Sequence, residues 1–334
     1  MLLNEKRPSV RSPAVWRAAD VVDPAEWTYA LTDAERAEVA RATAHAGARG
    51  RRPATVTRDD FPLPTLSTRI GEWAETLRSG RGFVLVRGFP VDDLDAGDVE
   101  LAYAGFGTHF GTPVSQDAEG TLLGHVRDRG LPRTGPEVRL YTTAERQDFH
   151  TDGADIIGLL CLQRARSGGE SRIASAAAVY NEILRRDPRL LDVLYEPMYW
   201  DRNGGESPGE EPFFRLPVLT DVDGGPRFFY VGWYIRDAQR HAGVPPLTDE
   251  QSAAMAMIED IANSPEFYVE MDLRPGDVQL LNNAVILHSR EAYTDFDDAD
   301  RKRHLLRLWL RAHDFSSVDD TLRGGIPVRS DRRP

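Results

Sequence analysis

The sequence predicts a mainly β core with flanking helices, and three observations carry that expectation. From about residue 137 onward, short apolar runs (GLLCLQRA, FYVEMDL, VQLLNN, LLRLWLRA) are separated by Gly/Pro turns (SGGES, VDGGP, RPGD), the texture of a mostly antiparallel sheet. The first hundred or so residues carry helix signals around a strand or two. Strands and helices do not alternate regularly, which disfavours a doubly wound parallel sheet.

Taken in order, residues 1–30 are rich in Pro, Arg and Asp and are expected to wrap the surface or to be partly disordered. TDAERAEVARATAHAGARG opens on a Thr/Asp cap, repeats Ala at helical spacing and closes on Gly, which reads as a helix. LSTRIGEWAETLRSG reads as a second helix, RGFVLVRGFPVD as a short β-branched strand, and AGDVELAYAGFGTHFG as a third helix. Residues 1–80 thus form a helical N-terminal region ahead of a core over 81–315. Helical insertions interrupt the core near 175–196, with Ser175 as cap and a break at Pro188, and near 247–263, with Thr248 as N-cap. Residues 316–334 are a tail, and the whole of 1–334 is expected to form one catalytic domain.

Composition narrows the function. The 334 residues are 41% hydrophobic and 28% charged, as in an ordinary globular protein. A formal charge of −12 argues against nucleic-acid binding, which needs a basic face. No apolar run approaches the ~20 residues of a membrane span, and MLLNEKRPSVRSPAV lacks the apolar stretch of a signal peptide, so the expected location is the cytoplasm. The single cysteine, Cys161, excludes an internal disulfide framework and Cys-type zinc sites; within IIGLLCL it reads as a buried small hydrophobe. A homo-oligomer is left open, and the expected partner is a small-molecule substrate.

The chemistry begins at QDFHTDGAD. Side chains at i and i+2 of a strand share a face, so His150 and Asp152 can aim an imidazole and a carboxylate at one point. H-x-D alone is weak, because any polar pair at a strand mouth satisfies it. A third ligand is available at His288, where the apolar run of RPGDVQLLNNAVILHSR ends. Two histidines and a carboxylate form the facial triad that leaves three positions open on Fe(II), enough for a bidentate 2-oxo acid and O2. Such an acid needs a cation for its far carboxylate, and RKRHLLRLWLR supplies Arg303 and Arg307, four apart and on one strand face with Leu305. His304, Leu306 and Leu308 take the other face, and Arg307 lies in a run too apolar to be a surface.

Together GFVLVRGFPVD, FHTDGAD, SGGESRIAS, LRPGDVQLLNNAVILH and RKRHLLRLWLR, in this order over roughly residues 80–312, resemble the TauD/TfdA-type Fe(II)- and 2-oxoglutarate-dependent dioxygenases. The resemblance implies a double-stranded β-helix (jelly-roll) core. It implies that His150, Asp152 and His288 ligate iron, and that Arg303 and Ser171 bind the far carboxylate of 2-oxoglutarate. It implies that Arg307 holds an anionic group of the primary substrate and that Asn283 is structural. The implied reaction oxidises, most simply hydroxylates, a C–H bond of a small anionic or amino-acid-like molecule, with 2-oxoglutarate converted to succinate and CO2. Halogenation is disfavoured, since it requires a small residue in place of Asp152. Tyr141, Gln147 and Trp233 are further substrate-side candidates, with Tyr234 and Arg236 beside Trp233, and residues 201–212 could form a lid. Two competing readings remain: a non-oxygenase jelly-roll that binds metal as a sensor or structural protein, and a hydrolase built on GESPG (205–209), which lacks the strand–turn–helix context of a nucleophile elbow.

Overall fold

Alternating side chains on the central strands divide the interior into three apolar layers, and that division places the site. The computed structural model describes residues 7–130, 138–206, 208–222, 225–313 and 315. In chain order, β1 (Thr28–Ala30), α1 (Asp33–Ala48), α2 (Ser67–Ser79), β2 (Phe83–Arg87), α3 (Ala96–Gly107), β3 (Gly111–Pro113) and β4 (Leu123–Val126) come first. β5 (Gln147–His150), β6 (Ile156–Gln163), β7 (Ser167–Gly168), β8 (Ser171–Ser175), α4 (Ala176–Arg186) and α5 (Pro188–Leu194) follow. Next are β9 (Met198–Asp201), β10 (Phe213–Leu216), β11 (Leu219–Val222), β12 (Gly225–Phe228), α6 (Gly232–Asp237) and α7 (Asp249–Ala262). The chain continues with β13 (Tyr268–Met271), β14 (Val278–Asn282), β15 (Ile286–Arg290), β16 (Tyr293–Thr294) and β17 (His304–Ala312).

The major sheet runs β1-β2-β14-β6-β17-β3, with β4 also on β17; the minor sheet runs β13-β8-β15-β5. All these pairings are antiparallel except β1 with β2. Leu306, Leu308 and Leu310 of β17 pack with Ile156, Leu160, Val278 and Leu280 against α1, α2 and α3. Leu305 and Trp309, the alternate positions, meet Ile157, Leu281, Ile173 and Ile286 between the two sheets. Ala174 and Leu287 on the outer face of the minor sheet pack against α4, α5 and α7. The result is helices, sheet, sheet, helices, mainly β at its centre. Gly158 permits one close approach: a Cβ there would stand 2.6 Å from the buried Tyr103 hydroxyl of α3.

Local signals explain the helix ends. Thr32 and Glu35 form a capping box on α1, and Thr248 and Gln251 form one on α7. Pro188 does break the 175–196 insertion, and it also starts α5 at its first turn, behind the Asp187 cap. Residues 7–30 run over the surface, the first of the two alternatives expected, and are pinned there at Ala14, Trp16, Val21 and Trp27. Trp16 and Trp27 are buried with ring centroids 5.3 and 5.8 Å from Phe83, and β1 extends the major sheet. The apolar area of the two tryptophans anchors a segment that otherwise stays at the surface. Residues 1–6 and the tail at 316–334 lie outside the described residues. Among the described residues, no helix is long and apolar enough to cross a membrane.

Candidate metal centre and substrate cavity

β5 and β15 pair so that His150 stands opposite His288. Their rings are 4.1 Å apart between centroids. Asp152 is not on the strand: β5 ends at His150, and the carboxylate comes from the segment just beyond it. That segment is tied down by Asn283, in the β14–β15 turn. Asn283 Oδ1 accepts from the Asp152 backbone N–H at 2.8 Å, and its Nδ2 donates to the carbonyls of Asp152 and, at 2.8 Å, of Ala154. Asp152 Oδ1 then lies 3.9 Å from His150 Nε2, and Asp152 Oδ2 lies 3.7 Å from His288 Nε2. One ligand atom from each residue falls within 4.8 Å of the others, the only such group of metal-ligating side chains among the described residues.

The protonation states suit a divalent cation. Burial holds the His150 imidazole below its usual value. Burial, with His150 alongside, pushes His288 down to about 3. Burial is the largest single influence on Asp152 and opposes its ionisation, but Arg307, the two imidazoles and the Trp309 hydrogen bond together outweigh it and hold the carboxyl below the ordinary carboxylate range. At neutral pH the cluster therefore offers two neutral imidazoles and one carboxylate, with lone pairs converging and no proton to displace. Such a set fits Fe(II) with open positions.

Asp152 Oδ2 is gripped by two donors, Trp309 Nε1 at 3.0 Å and Arg307 Nη1 at 3.3 Å. Arg307 Nε in turn donates to Gln116 Oε1 at 2.8 Å, and Gln116 Nε2 donates to the Arg307 carbonyl at 2.9 Å. Outer partners of this kind orient a ligand and tune its basicity.

On one side of the triad lies a small cavity of about 40 Å³, lined by Ser171, Ser289, Arg290, Arg303, Arg307, Tyr141 and Gln147, among others. Arg303 is buried; its Nη2 donates to the Gly169 carbonyl at 3.2 Å, and its Nη1 has no partner. Gly169 has φ +81°, and a Cβ there would meet Arg303 Nε at 2.9 Å, so glycine makes room for the guanidinium. Ser171 Oγ is 3.1 Å from Gln279 Nε2. On the other side is a cavity of about 290 Å³. Tyr141, Gln147, Trp233, Tyr234 and Arg307 all line it, with Asp201, Arg202 and Gly205 from the proposed lid. The Trp233 ring is 5.0 Å from that of His150, the Gln147 amide is 3.1 Å from His150 Nε2, and Arg307 lies over the Tyr141 ring at 4.6 Å. Arg236 instead pairs with Glu259 on α7. Ser207 of the GESPG pattern lies outside the described residues.

Several residues escaped the sequence reading. Trp309 and Gln116 grip the metal-side carboxylate network, Arg139 and Arg215 line the larger cavity, and Arg290 lines the smaller one. Arg290 and Trp309 had a signal: each lies two positions beyond a residue already singled out, His288 or Arg307, on the same strand face. Gln116 had none, because it reaches Arg307 from a loop remote in sequence.

Two predictions arise here. Asn283→Ala removes three hydrogen bonds around Asp152 and should cost about 2–4 kcal/mol in a urea melt. It should also weaken divalent-metal binding by roughly tenfold or more by titration; unchanged metal affinity would mean that the brace is not needed. Stability of the metal-free protein should fall as pH drops below 6.5, the ordinary value from which His288 is displaced. The unfolded chain binds that proton from about 6.5 down, whereas the folded chain resists it until about 3. His288 contributes to this slope throughout the window, most steeply between the two values. Denaturant midpoints against pH for wild type and His288→Ala check it, since the variant should lose that part of the slope.

Comparison with known proteins gives the family. The family described as "Taurine catabolism dioxygenase TauD, TfdA family" matches residues 41–309. The FR-33289 synthase of Streptomyces rubellomurinus is 35% identical over 312 residues, 91% of each chain. A uridine-5'-phosphate dioxygenase of a Streptomyces species is 29% identical over 202 residues, 54% of this chain and 70% of that one. An asparagine oxygenase solved with Fe(II), 3-hydroxyasparagine and succinate superposes with a TM-score of 0.66 at 18% identity, covering 85% of this chain and 93% of that one. With a matched segment that includes the minor sheet, all of the major sheet but β1 and the end of β17, and the converging triad, the chain belongs to the TauD/TfdA family of dioxygenases, non-haem iron enzymes that use 2-oxoglutarate.

Proposed function

We propose that the larger cavity binds a small anionic, amino-acid-like molecule and that the enzyme hydroxylates one of its C–H bonds, with His150, Asp152 and His288 as iron ligands and Arg303 and Ser171 as the anchor for 2-oxoglutarate. The observation that carries this reading is the triad's position between two cavities of unequal size, each lined by arginine. When bound there, Fe(II) supplies the centre at which O2 oxidatively decarboxylates 2-oxoglutarate and oxidises the second molecule.

The chain's own residues do the rest. Arg303 orients the diacid from behind, while Trp233 and Tyr141 wall off the larger cavity and limit water near the reacting bond. Arg139, Arg202, Arg215 and Arg307 line that cavity. Asp201, apart from the ligand Asp152 its one acidic lining residue, is already paired with Arg240 at 3.1 Å and His241 at 3.0 Å. The surplus is positive and favours an anion. The asparagine oxygenase and uridine-5'-phosphate dioxygenase named above act, by their names, on an amino acid and on a phosphate ester, which supports a substrate with both characters. A cytoplasmic setting fits Cys161, a buried thiol that burial pushes up to about 12 and so keeps unreactive.

The test is substrate-stimulated succinate formation. Protein loaded with Fe(II) and 2-oxoglutarate is given matched pairs of small molecules, each an anion and its neutral amide or ester. Anions should raise succinate and O2 consumption above the uncoupled background, and neutral partners should not. Equal stimulation by neutral partners overturns the anionic reading.

A further inference from the structure

One buried cation near the triad has no task in this reading. Arg290 is 5% exposed and lies two residues beyond His288 on β15. In the strand pairing it stands opposite Ser171 of β8 on one side and Gln147 of β5 on the other. It lines the small cavity together with Arg303 and Ser171. Only its Nη2 is satisfied, by the Glu145 carbonyl; Nε and Nη1 have no partner. Arg303 Nη1, the Tyr293 hydroxyl and the Ser289 hydroxyl are also buried without partners. Tyr293 lies under both guanidiniums, with its ring centroid 4.9 Å from Arg290 and 5.1 Å from Arg303.

Buried donors in a folded protein are normally paired, and a guanidinium withdrawn from water without a counter-ion is strongly disfavoured. Two of them facing one cavity repel each other as well. The π face of Tyr293 relieves part of this but cannot accept the free N–H groups in their own planes. What satisfies them must be anionic, small enough for the cavity, and able to accept from several directions. A carboxylate has two oxygens and about four lone-pair sites, and it meets all three demands.

We propose that Arg290 is a second guanidinium for the distal carboxylate of 2-oxoglutarate, which is held between Arg290 and Arg303. The proposal rests on the reading of Arg303 and Ser171 as the co-substrate anchor. It adds a consequence of its own: a 2-oxo acid without the distal carboxylate leaves two buried cations unmatched, so selection for the diacid is divided between two arginines.

Binding of 2-oxoglutarate and of 2-oxobutanoate, the same molecule without that carboxylate, is measured by calorimetry on Co(II)-loaded wild type, Arg290→Met, Arg290→Lys and Arg303→Met, each checked for fold by circular dichroism. Arg290→Met should weaken 2-oxoglutarate roughly ten- to hundredfold and leave 2-oxobutanoate unchanged. Arg290→Lys, which keeps the charge and loses the fork, should fall in between; it decides the matter if the methionine variant does not fold. Parallel weakening of both acids assigns Arg290 a purely structural role and overturns the proposal. If Arg303→Met loses 2-oxoglutarate while Arg290→Met binds like wild type, the proposal fails and the anchor reading stands. If neither variant changes binding, the anchor reading fails, and the proposal fails with it.

Discussion

Asp152→Ala should abolish turnover and weaken divalent-metal binding on the order of a thousandfold, beyond the ten- to hundredfold expected for an outer partner of a ligand. It should also destabilise the metal-free protein by about 3–5 kcal/mol, because it leaves the buried Arg307 guanidinium without its carboxylate. His288→Ala separates the two effects. It removes a ligand equally well, but it deletes a side chain whose Nδ1 is buried without a partner, and it strands no charge. Its loss of stability should be smaller, while its loss of activity should be as complete. Metal titration and urea melts of the two variants, compared with wild type, read both numbers. An Asp152→Ala protein that still binds Co(II) tightly would refute the site.

Arg303→Met should move function and stability in opposite directions. The guanidinium is buried, its Nη1 is unpaired and its Nη2 has only the Gly169 carbonyl, so the metal-loaded protein without co-substrate carries an ill-matched charge. Methionine fills similar volume without that charge and should raise stability by about 1–3 kcal/mol. The 2-oxoglutarate concentration for half-maximal turnover should meanwhile rise by roughly a hundredfold, since a charge-assisted, forked contact is lost. Thermal melts with and without 2-oxoglutarate check both parts: wild type should gain several degrees on binding, whereas the variant should start higher and gain little. A variant that starts lower and keeps its ligand shift would show that Arg303 serves packing alone.

Much of this could be read from the residues, and the reasons differ by position. HLLRLWL told which side chains share the Arg307 face because strand alternation is a property of the backbone itself. The helix starts at Thr32 and Thr248 were visible because capping is local chemistry within four residues. Placing Asp152 on the strand with His150 was wrong in detail, because no local pattern announces that β5 ends there; the brace that holds Asp152 comes from Asn283, far along the chain. Distance in sequence hid Gln116 for the same reason. The short helix α6 lay concealed in RFFYVGWYIRDAQR, whose aromatic and β-branched residues favour strands in isolation. Composition marked the N-terminal segment as a surface wrap but, averaging over Trp16 and Trp27, did not show what anchors it.

β15 carries His288 and Arg290 on consecutive same-face positions, and its neighbours β5 and β8 hold it by hydrogen bonds on both edges. Two residues of antiparallel strand advance about 6.8 Å; the pairing with β8 is regular through this step, whereas the β5 register shifts between His288 and Arg290, so it is the β8 ladder that fixes the spacing. The strand therefore works as a ruler between metal and cation, graduated in whole residues. A diacid one methylene shorter, oxaloacetate, or one longer, 2-oxoadipate, meets a gauge that side-chain rotation adjusts only slightly. With Arg290 in the role proposed above, 2-oxoglutarate should therefore bind more tightly than either homologue, which calorimetry on the Co(II)-loaded protein checks.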